Sequence, residues 1–169
     1  MIAKIISGGQ TGADRAALEF AIAHGIPHGG WCPRGRLAED GVIPNAYQLT
    51  ETPSADSAQR TEWNVRDSDG TVIFSISETL AGGSKRTAEF AAQYQKPCLH
   101  FSRQRDSRTA ARQLLEFLAS HQIRTLNVAG PRQSEEPEVG NFTLDTLANA
   151  MTTPYHPVCV ENRHGERAP

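Results

Sequence analysis

Ser7-Gly8-Gly9-Gln10-Thr11-Gly12-Ala13-Asp14-Arg15 directly follows the apolar run Ile2–Ile6 and precedes a segment with helical spacing of its apolar residues. This order predicts a strand, a glycine-rich turn and the start of a helix. Glycine allows a tight turn and a close approach of a ligand to the backbone. The first N–H groups of a helix are unpaired and carry partial positive charge, which suits phosphate. We therefore expect an anion at the backbone of Gly9 to Gly12 or at the Thr11 side chain.

The same alternation recurs along the chain. Strand-like apolar runs are followed by polar or glycine-rich residues and then by helical patterns; the runs are Ile2–Ile6, Thr71–Ile76, Pro97–Phe101 and Arg124–Ala129. Helical spacing is seen over Thr11–His24, Gly83–Gln95, Thr109–Ser120 and Val139–Met151. Such alternation predicts an α/β fold, a Rossmann-like open parallel sheet with helices on both faces. We expect one domain over residues 1–151, a binding loop over Pro27 to Pro53, and a polar, proline-containing tail over 152–169.

Composition narrows the class of protein. The 169 residues include 17 basic and 19 acidic side chains, for a net charge of -2. This balance disfavours a nucleic-acid binder or a membrane-surface binder. The three cysteines, Cys32, Cys98 and Cys159, lack the spacing of a metal site and suit a reducing compartment. The pattern predicts a soluble cytoplasmic protein without a metal site, with Cys98 in the core and Cys32 in an exposed loop.

Three glycine loops follow predicted strands. They begin at Gly8, at Gly82 and at Gly130. The carboxyl ends of parallel strands share one edge, where the ligands of such sheets bind. One pocket at that edge is the interpretation we favour, and three ordinary turns are the alternative. Neither the dinucleotide fingerprint nor the P-loop pattern is present, which disfavours both a dinucleotide cofactor and ATPase chemistry.

Candidate ligand-binding residues lie in or beside these loops. Tryptophan can stack on a flat heterocycle, although a core position is its more common location. Arginine and lysine bind phosphate oxygens, although a solvated surface is their usual place. The candidates are Gly8, Gly9, Gln10, Thr11, Gly12, Asp14, Arg15, Trp31, Arg36, Trp63, Asn64, Arg66, Gly82, Gly83, Ser84, Lys85, Thr87, Gly130 and Arg132. Asp14 would repel a phosphate, so we expect it to face a donor group of the ligand or of the protein.

Four blocks of the sequence together resemble the molybdenum carrier family, whose members are molybdenum cofactor carrier proteins. The blocks are Ile6 to Leu18, Gly30 to Pro44, Arg60 to Thr71 and Leu126 to Arg132. The resemblance implies a Rossmann-like fold of the lysine-decarboxylase-like, nucleotide-sensing superfamily. It also implies binding and protection of molybdenum cofactor (molybdopterin), a homo-oligomer (tetramer or dimer), and molybdoenzymes as recipients. The cofactor's own dithiolene would hold the metal, so no protein metal ligands are required.

A second interpretation comes from the same superfamily, which includes phosphoribohydrolases that cut the base from nucleoside 5'-monophosphates. Their signature is P-G-G-x-G-T-x-x-E, with a catalytic glutamate. Here the matching loop starts at Ala81, has Lys85-Arg86 in place of Gly-Thr, and keeps Glu89 at the glutamate position. Because the loop is altered, we expect binding without turnover, and we take Glu89 as a solvent-facing helix residue. A nucleotide-sensing binding module remains a further alternative.

Overall fold

The computed structural model describes residues 2–152, and the fold has a five-stranded parallel sheet at its centre. The strands of this sheet are β1 (Lys4–Ile6), β2 (His28–Gly29), β7 (Gly70–Ser75), β8 (Cys98–Ser102) and β9 (Thr125–Ala129). Their spatial order is β2-β1-β9-β7-β8, and every pairing between neighbours is parallel. The predicted Rossmann-like α/β class is confirmed. The expected tail lies outside the described residues, apart from its first residue, Thr152.

Within residues 2–152, six helices surround the sheet: α1 (Ala13–Ala23), α2 (Ser57–Arg66), α3 (Gly82–Gln93), α4 (Arg103–Asp106), α5 (Ala110–Ser120) and α6 (Val139–Thr152). Helices α1 and α5 pack against α6, and α2 packs against α3. Helix α5 shows why these segments are helical, because Ala110, Leu114 and Phe117 share one buried face. Asp56 caps α2 by accepting a hydrogen bond from the Ala58 amide at 2.9 Å.

The core lies around the interior strands β9 and β7. All six residues of β7 are buried, as expected for an interior strand of a parallel sheet. Phe74 contacts Phe101 of β8 and Phe142 of α6, with ring centroids 5.3 Å and 5.6 Å apart. No helix within residues 2–152 is both long enough and apolar enough to cross a membrane.

The segment from Pro27 to Pro53 is more ordered than a loop. Besides β2 it contains β3 (Trp31–Cys32), β4 (Leu37–Ala38), β5 (Gly41–Val42) and β6 (Thr50–Glu51). Strands β3 and β6 form one small ribbon, and β4 and β5 form another.

The burial of two cysteines is the reverse of the sequence expectation. Cys32 is fully buried in a small apolar cluster with Leu18 and Ile43. Cys98 is exposed at the start of β8, the last strand of the order that the described residues form. Cys159 lies outside the described residues.

Candidate functional site

The three predicted glycine loops lie at the same edge of the sheet. Gly8 follows β1, Gly130 follows β9, and the turn before Gly82 follows β7. Because these strands are parallel neighbours, all three loops leave from their carboxyl ends. The prediction of a shared edge is therefore confirmed.

A narrow polar crevice opens at this edge between the sheet and helices α2 and α3. Its walls come from the first loop, α2, α3 and β9; the lining residues are Gly8, Arg60, Thr61, Asn64, Thr87, Asn127, Val128 and Ala129. The sequence singled out Gly8, Asn64 and Thr87 as ligand residues, and the crevice brings them together. Arg60 and Asn127 were missed. The signal that could have found Arg60 is its position one helical turn before Asn64 on α2.

Arg60 and Asp14 form a buried ion pair beside the crevice. Arg60 Nη1 lies 3.1 Å from Asp14 Oδ2, and the Asp14 side chain is only 3% exposed. Burial raises the pKa of Asp14, and the positive charge of Arg60 and the Gln10 amide oppose this rise. Asp14 thus faces a protein donor. Arg60 Nε is buried and has no hydrogen-bond partner in the described part of the chain.

The chain itself covers the first glycine loop at Gly9, and the anion site expected at Gly9 to Gly12 or at Thr11 stays a prediction. A Cβ on Gly9 would lie 2.5 Å from Leu49 Cδ1 and 3.2 Å from Ile43 Cδ1. The Gln10 amide donates to Asp14 at 3.3 Å, and the Thr11 amide donates to the Gln10 side chain at 3.0 Å. A substitution at Gly9 would therefore test packing before it tested ligand binding.

Gly12 and Gly130, two further predicted ligand residues, must be glycine because backbone atoms from other segments pack closely against them. A Cβ on Gly12 would lie 2.6 Å from the Pro131 carbonyl oxygen, and one on Gly130 would lie 2.5 Å from the Phe74 carbonyl oxygen. At both positions a side chain would overlap a backbone carbonyl oxygen. These glycines hold the first loop, β9 and β7 together at the edge.

The second glycine loop, in contrast, is open. A Cβ on Gly82 or on Gly83 would meet no atom of residues 2–152 within 4 Å. Helix α3 begins here without a side-chain cap and without an acidic residue in its first turn. Ser84 is buried, whereas the Lys85 side chain is 67% exposed. An uncapped helix start with an open approach and a nearby cation suits an anionic group.

The two predicted stacking residues contact each other. Trp31 and Trp63 meet edge to face with ring centroids 4.7 Å apart, and the Arg66 guanidinium lies 4.6 Å from the Trp63 ring centre. Asp67 accepts hydrogen bonds from Trp31 Nε1 at 2.7 Å and from Arg66 Nε at 2.6 Å. Asn64 exchanges two hydrogen bonds with the Trp31 backbone, at 2.8 Å and 2.9 Å. This cluster anchors β3 to α2.

Arg36 has a structural role in place of the predicted ligand contact. Its guanidinium donates to four carbonyl oxygens, those of Ile43, Pro44, Tyr47 and Leu49, over 2.9–3.1 Å. These bonds hold the segment that carries Ile43 and Leu49 over the first loop. We therefore leave Arg36 out of the proposed site.

The turn between β4 and β5 contacts three of the predicted ligand residues, Thr11, Arg15 and Arg132. Arg15 forms an ion pair with Asp40, while Thr11 bonds to Glu39 and Arg132 Nε lies 3.9 Å from the Glu39 carboxylate.

Glu89 lies on the exposed face of α3. Its side chain is 62% exposed, and Glu89 Oε1 lies 3.9 Å from Lys85 Nζ. Within residues 2–152, no three His, Cys, Asp or Glu side chains are grouped closely enough to hold a metal ion.

The sheet, its glycine loops and the polar crevice define a Rossmann-like α/β domain with a candidate ligand site at the carboxyl edge of its strands. The chain belongs to the circularly permuted YpsA family of the SLOG superfamily, whose family model, "Circularly permutated YpsA SLOG family", matches residues 5–151. It is similar to a solved structure named "Putative molybdenum carrier protein" from Syntrophus aciditrophicus SB. The two chains are 54% identical, with a TM-score of 0.87 over 89% of this chain and 95% of that one. No curated protein matches this chain significantly.

Proposed function

We propose that this protein binds and protects molybdenum cofactor, a pterin with a terminal phosphate, and does so without turnover. The observation that carries the proposal is the uncovered start of α3 at Gly82 and Gly83, next to a crevice lined by the cationic side chain of Arg60. The similarity to a protein named as a molybdenum carrier supports this choice of cargo.

The residues present fit an anionic cargo. The N–H groups at the start of α3 would hold the phosphate, and Lys85 would add positive charge beside it. Thr87, one turn further along α3, and Arg60 would supply hydrogen bonds from the crevice. The metal would stay on the dithiolene of the cargo. The proposal includes a cytoplasmic homo-oligomer, a dimer or tetramer, that passes the cofactor to molybdoenzymes.

The cargo can be identified directly. We expect protein purified gently without added ligand to carry a pterin and molybdenum, detected by native mass spectrometry and metal analysis. Oxidation of the released pterin should give a fluorescent product. A bound nucleotide in place of the pterin would contradict the proposal and would favour a nucleotide-sensing module.

Valine in place of Gly83 should weaken binding of the phosphate-bearing pterin at least about tenfold, equivalent to about 1.4 kcal/mol. The added methyl groups enter open space, so the fold should be retained while the approach to the α3 amides is blocked. Fluorescence titration measures the affinity, and circular dichroism checks the fold. Ala92→Val, at an exposed position in the last turn of α3, is the matched control. Equal affinities for the two variants would exclude the α3 start as the phosphate site.

Absence of turnover is a separate prediction. Incubation with purine and pyrimidine nucleoside monophosphates should release no free base. The Glu89 carboxylate is exposed to solvent and lies 3.9 Å from Lys85 Nζ, so it is not held in position to act as a base. Chromatography of the reaction mixture measures release. Robust release that is lost in Glu89→Gln would replace the carrier function with the phosphoribohydrolase function.

A further inference from the structure

The hairpin of β4 and β5 places two carboxylates at the edge of the sheet. Leu37 pairs with Val42 and Ala38 pairs with Gly41, so Glu39 and Asp40 form the two-residue turn. We refer to residues 37–42 as the tip hairpin. Asp40 forms a two-point ion pair with Arg15 of α1.

The Glu39 carboxylate lies among four donors that converge from two loops. It accepts hydrogen bonds from Thr11 Oγ1, from the Ser134 amide at 3.2 Å and from Ser134 Oγ. Arg132 Nε lies 3.9 Å away. The Glu39 side chain is only 17% exposed although it stands at the tip of a surface hairpin.

This donor set has the chemistry of an oxyanion site. Two hydroxyls, one backbone N–H and one guanidinium are the groups that bind phosphate and similar anions in proteins. Burial alone would raise the pKa of Glu39, but the hydrogen bonds from Ser134 and Thr11 lower it, so the carboxylate is charged at neutral pH. The charged carboxylate thus stands where an external oxyanion would be stabilised by the same contacts.

The tip hairpin packs against the apolar cluster of Leu18 and Cys32 through Ala38. Its cross-strand pair, Leu37 and Val42, is 52% and 70% exposed. The tip itself is held by the polar contacts of Glu39 and Asp40, and an external anion can replace those of the Glu39 carboxylate.

We propose that Thr11, Ser134 and Arg132 form a second oxyanion subsite and that Glu39 occupies it as an internal competitor. A tetrahedral oxyanion, whether a phosphate group or a metal oxyanion, displaces the Glu39 carboxylate and loosens the tip hairpin, which the Asp40–Arg15 ion pair continues to hold at one side. This inference rests on the proposed function in one respect, that an anion binds at the carboxyl edge of the sheet. It does not depend on that anion belonging to a pterin.

Calorimetric titration with inorganic phosphate and with molybdate tests the subsite. Glu39→Ala removes the competing carboxylate. This variant should bind at least one of these anions about tenfold more tightly than the wild-type protein, because Glu39 no longer has to leave the subsite before the anion binds. Glu39→Gln, which keeps the shape of the side chain, should show a smaller gain in the same direction. The control is Glu135→Ala, which removes an exposed carboxylate 3.5 Å from Arg132 that is not on the tip hairpin.

Hydrogen exchange provides the second readout. Saturating anion should speed amide exchange across residues 37–42 in the wild-type protein, and Glu39→Ala should show fast exchange without anion. A gain for phosphate alone, or for molybdate alone, assigns the subsite to that anion.

If Glu39→Ala binds both anions no more tightly than Glu135→Ala, or if the anion leaves the exchange of the wild-type tip hairpin unchanged, the proposal is wrong. Its failure would leave the Gly83 result on pterin binding intact, and failure of the pterin assignment would leave the anion result intact.

Discussion

Replacing Arg60 with methionine is expected to lower the free energy of unfolding by about 3–5 kcal/mol at neutral pH, because the buried Asp14 would lose its charge partner. For a domain of this size, the melting temperature should fall by roughly 2–4 °C for each kcal/mol. Denaturant and thermal unfolding measure the loss. This is the largest effect on stability that we expect from a single side chain at the site.

The loss should shrink in acid. Burial raises the pKa of Asp14, and removal of the Arg60 charge takes away the main opposing effect, so the pKa rises further. A carboxylic acid whose pKa is higher in the folded state than in the unfolded state lowers the stability of the fold at pH values above that folded-state pKa. This destabilisation disappears as the pH falls and the group becomes protonated and neutral. The difference between Arg60→Met and wild type should therefore be smaller at about pH 5 than at about pH 8.

Two further variants separate charge from packing. Asp14→Asn should restore much of the stability lost in Arg60→Met, because no uncompensated charge then remains. Arg66→Met, a matched change on the same helix, breaks an ion pair whose side chains are 39% and 38% exposed and should cost at most about 1 kcal/mol. A double variant as unstable as Arg60→Met would show that lost packing, not the Asp14 charge, causes the effect.

The fold was predictable because its strongest determinants are local. The interior strand β7 is buried on both faces, so its sequence is an apolar run with glycine at its start and polar residues after it. Strand β2 was missed because it has only two residues, His28 and Gly29, and carries no apolar pattern. It belongs to the sheet through backbone pairing with β1, which leaves no trace in side-chain periodicity.

The site was only partly predictable, because its contacts join distant residues. Arg60 and Asp14 are 46 positions apart, and Glu39 and Ser134 are 95 positions apart. Sequence patterns placed Thr11, Asp14 and their loop at the correct edge. They could not show that the chain's own carboxylates and apolar side chains cover the first loop.

Glycine illustrates the same limit, since the sequence does not distinguish a glycine required by packing from one that leaves room for a ligand. Gly130→Ala is expected to lower the free energy of unfolding by about 1–3 kcal/mol or more. The new methyl group would lie 2.5 Å from the Phe74 carbonyl oxygen and 2.6 Å from Ala13 Cβ. Both neighbours are fixed to the backbone, so β9 would have to move away from β7 and α1.

Gly83→Ala is the matched substitution in the second loop, and it should leave stability unchanged or raise it by up to about 1 kcal/mol. Its methyl group meets nothing within 4 Å, and alanine favours the helical conformation of α3 more than glycine does. Denaturant unfolding of both variants under the same conditions measures the contrast. Equal losses would show that the second loop is as closely packed as the third, and the open approach to α3 on which anion binding depends would then be absent.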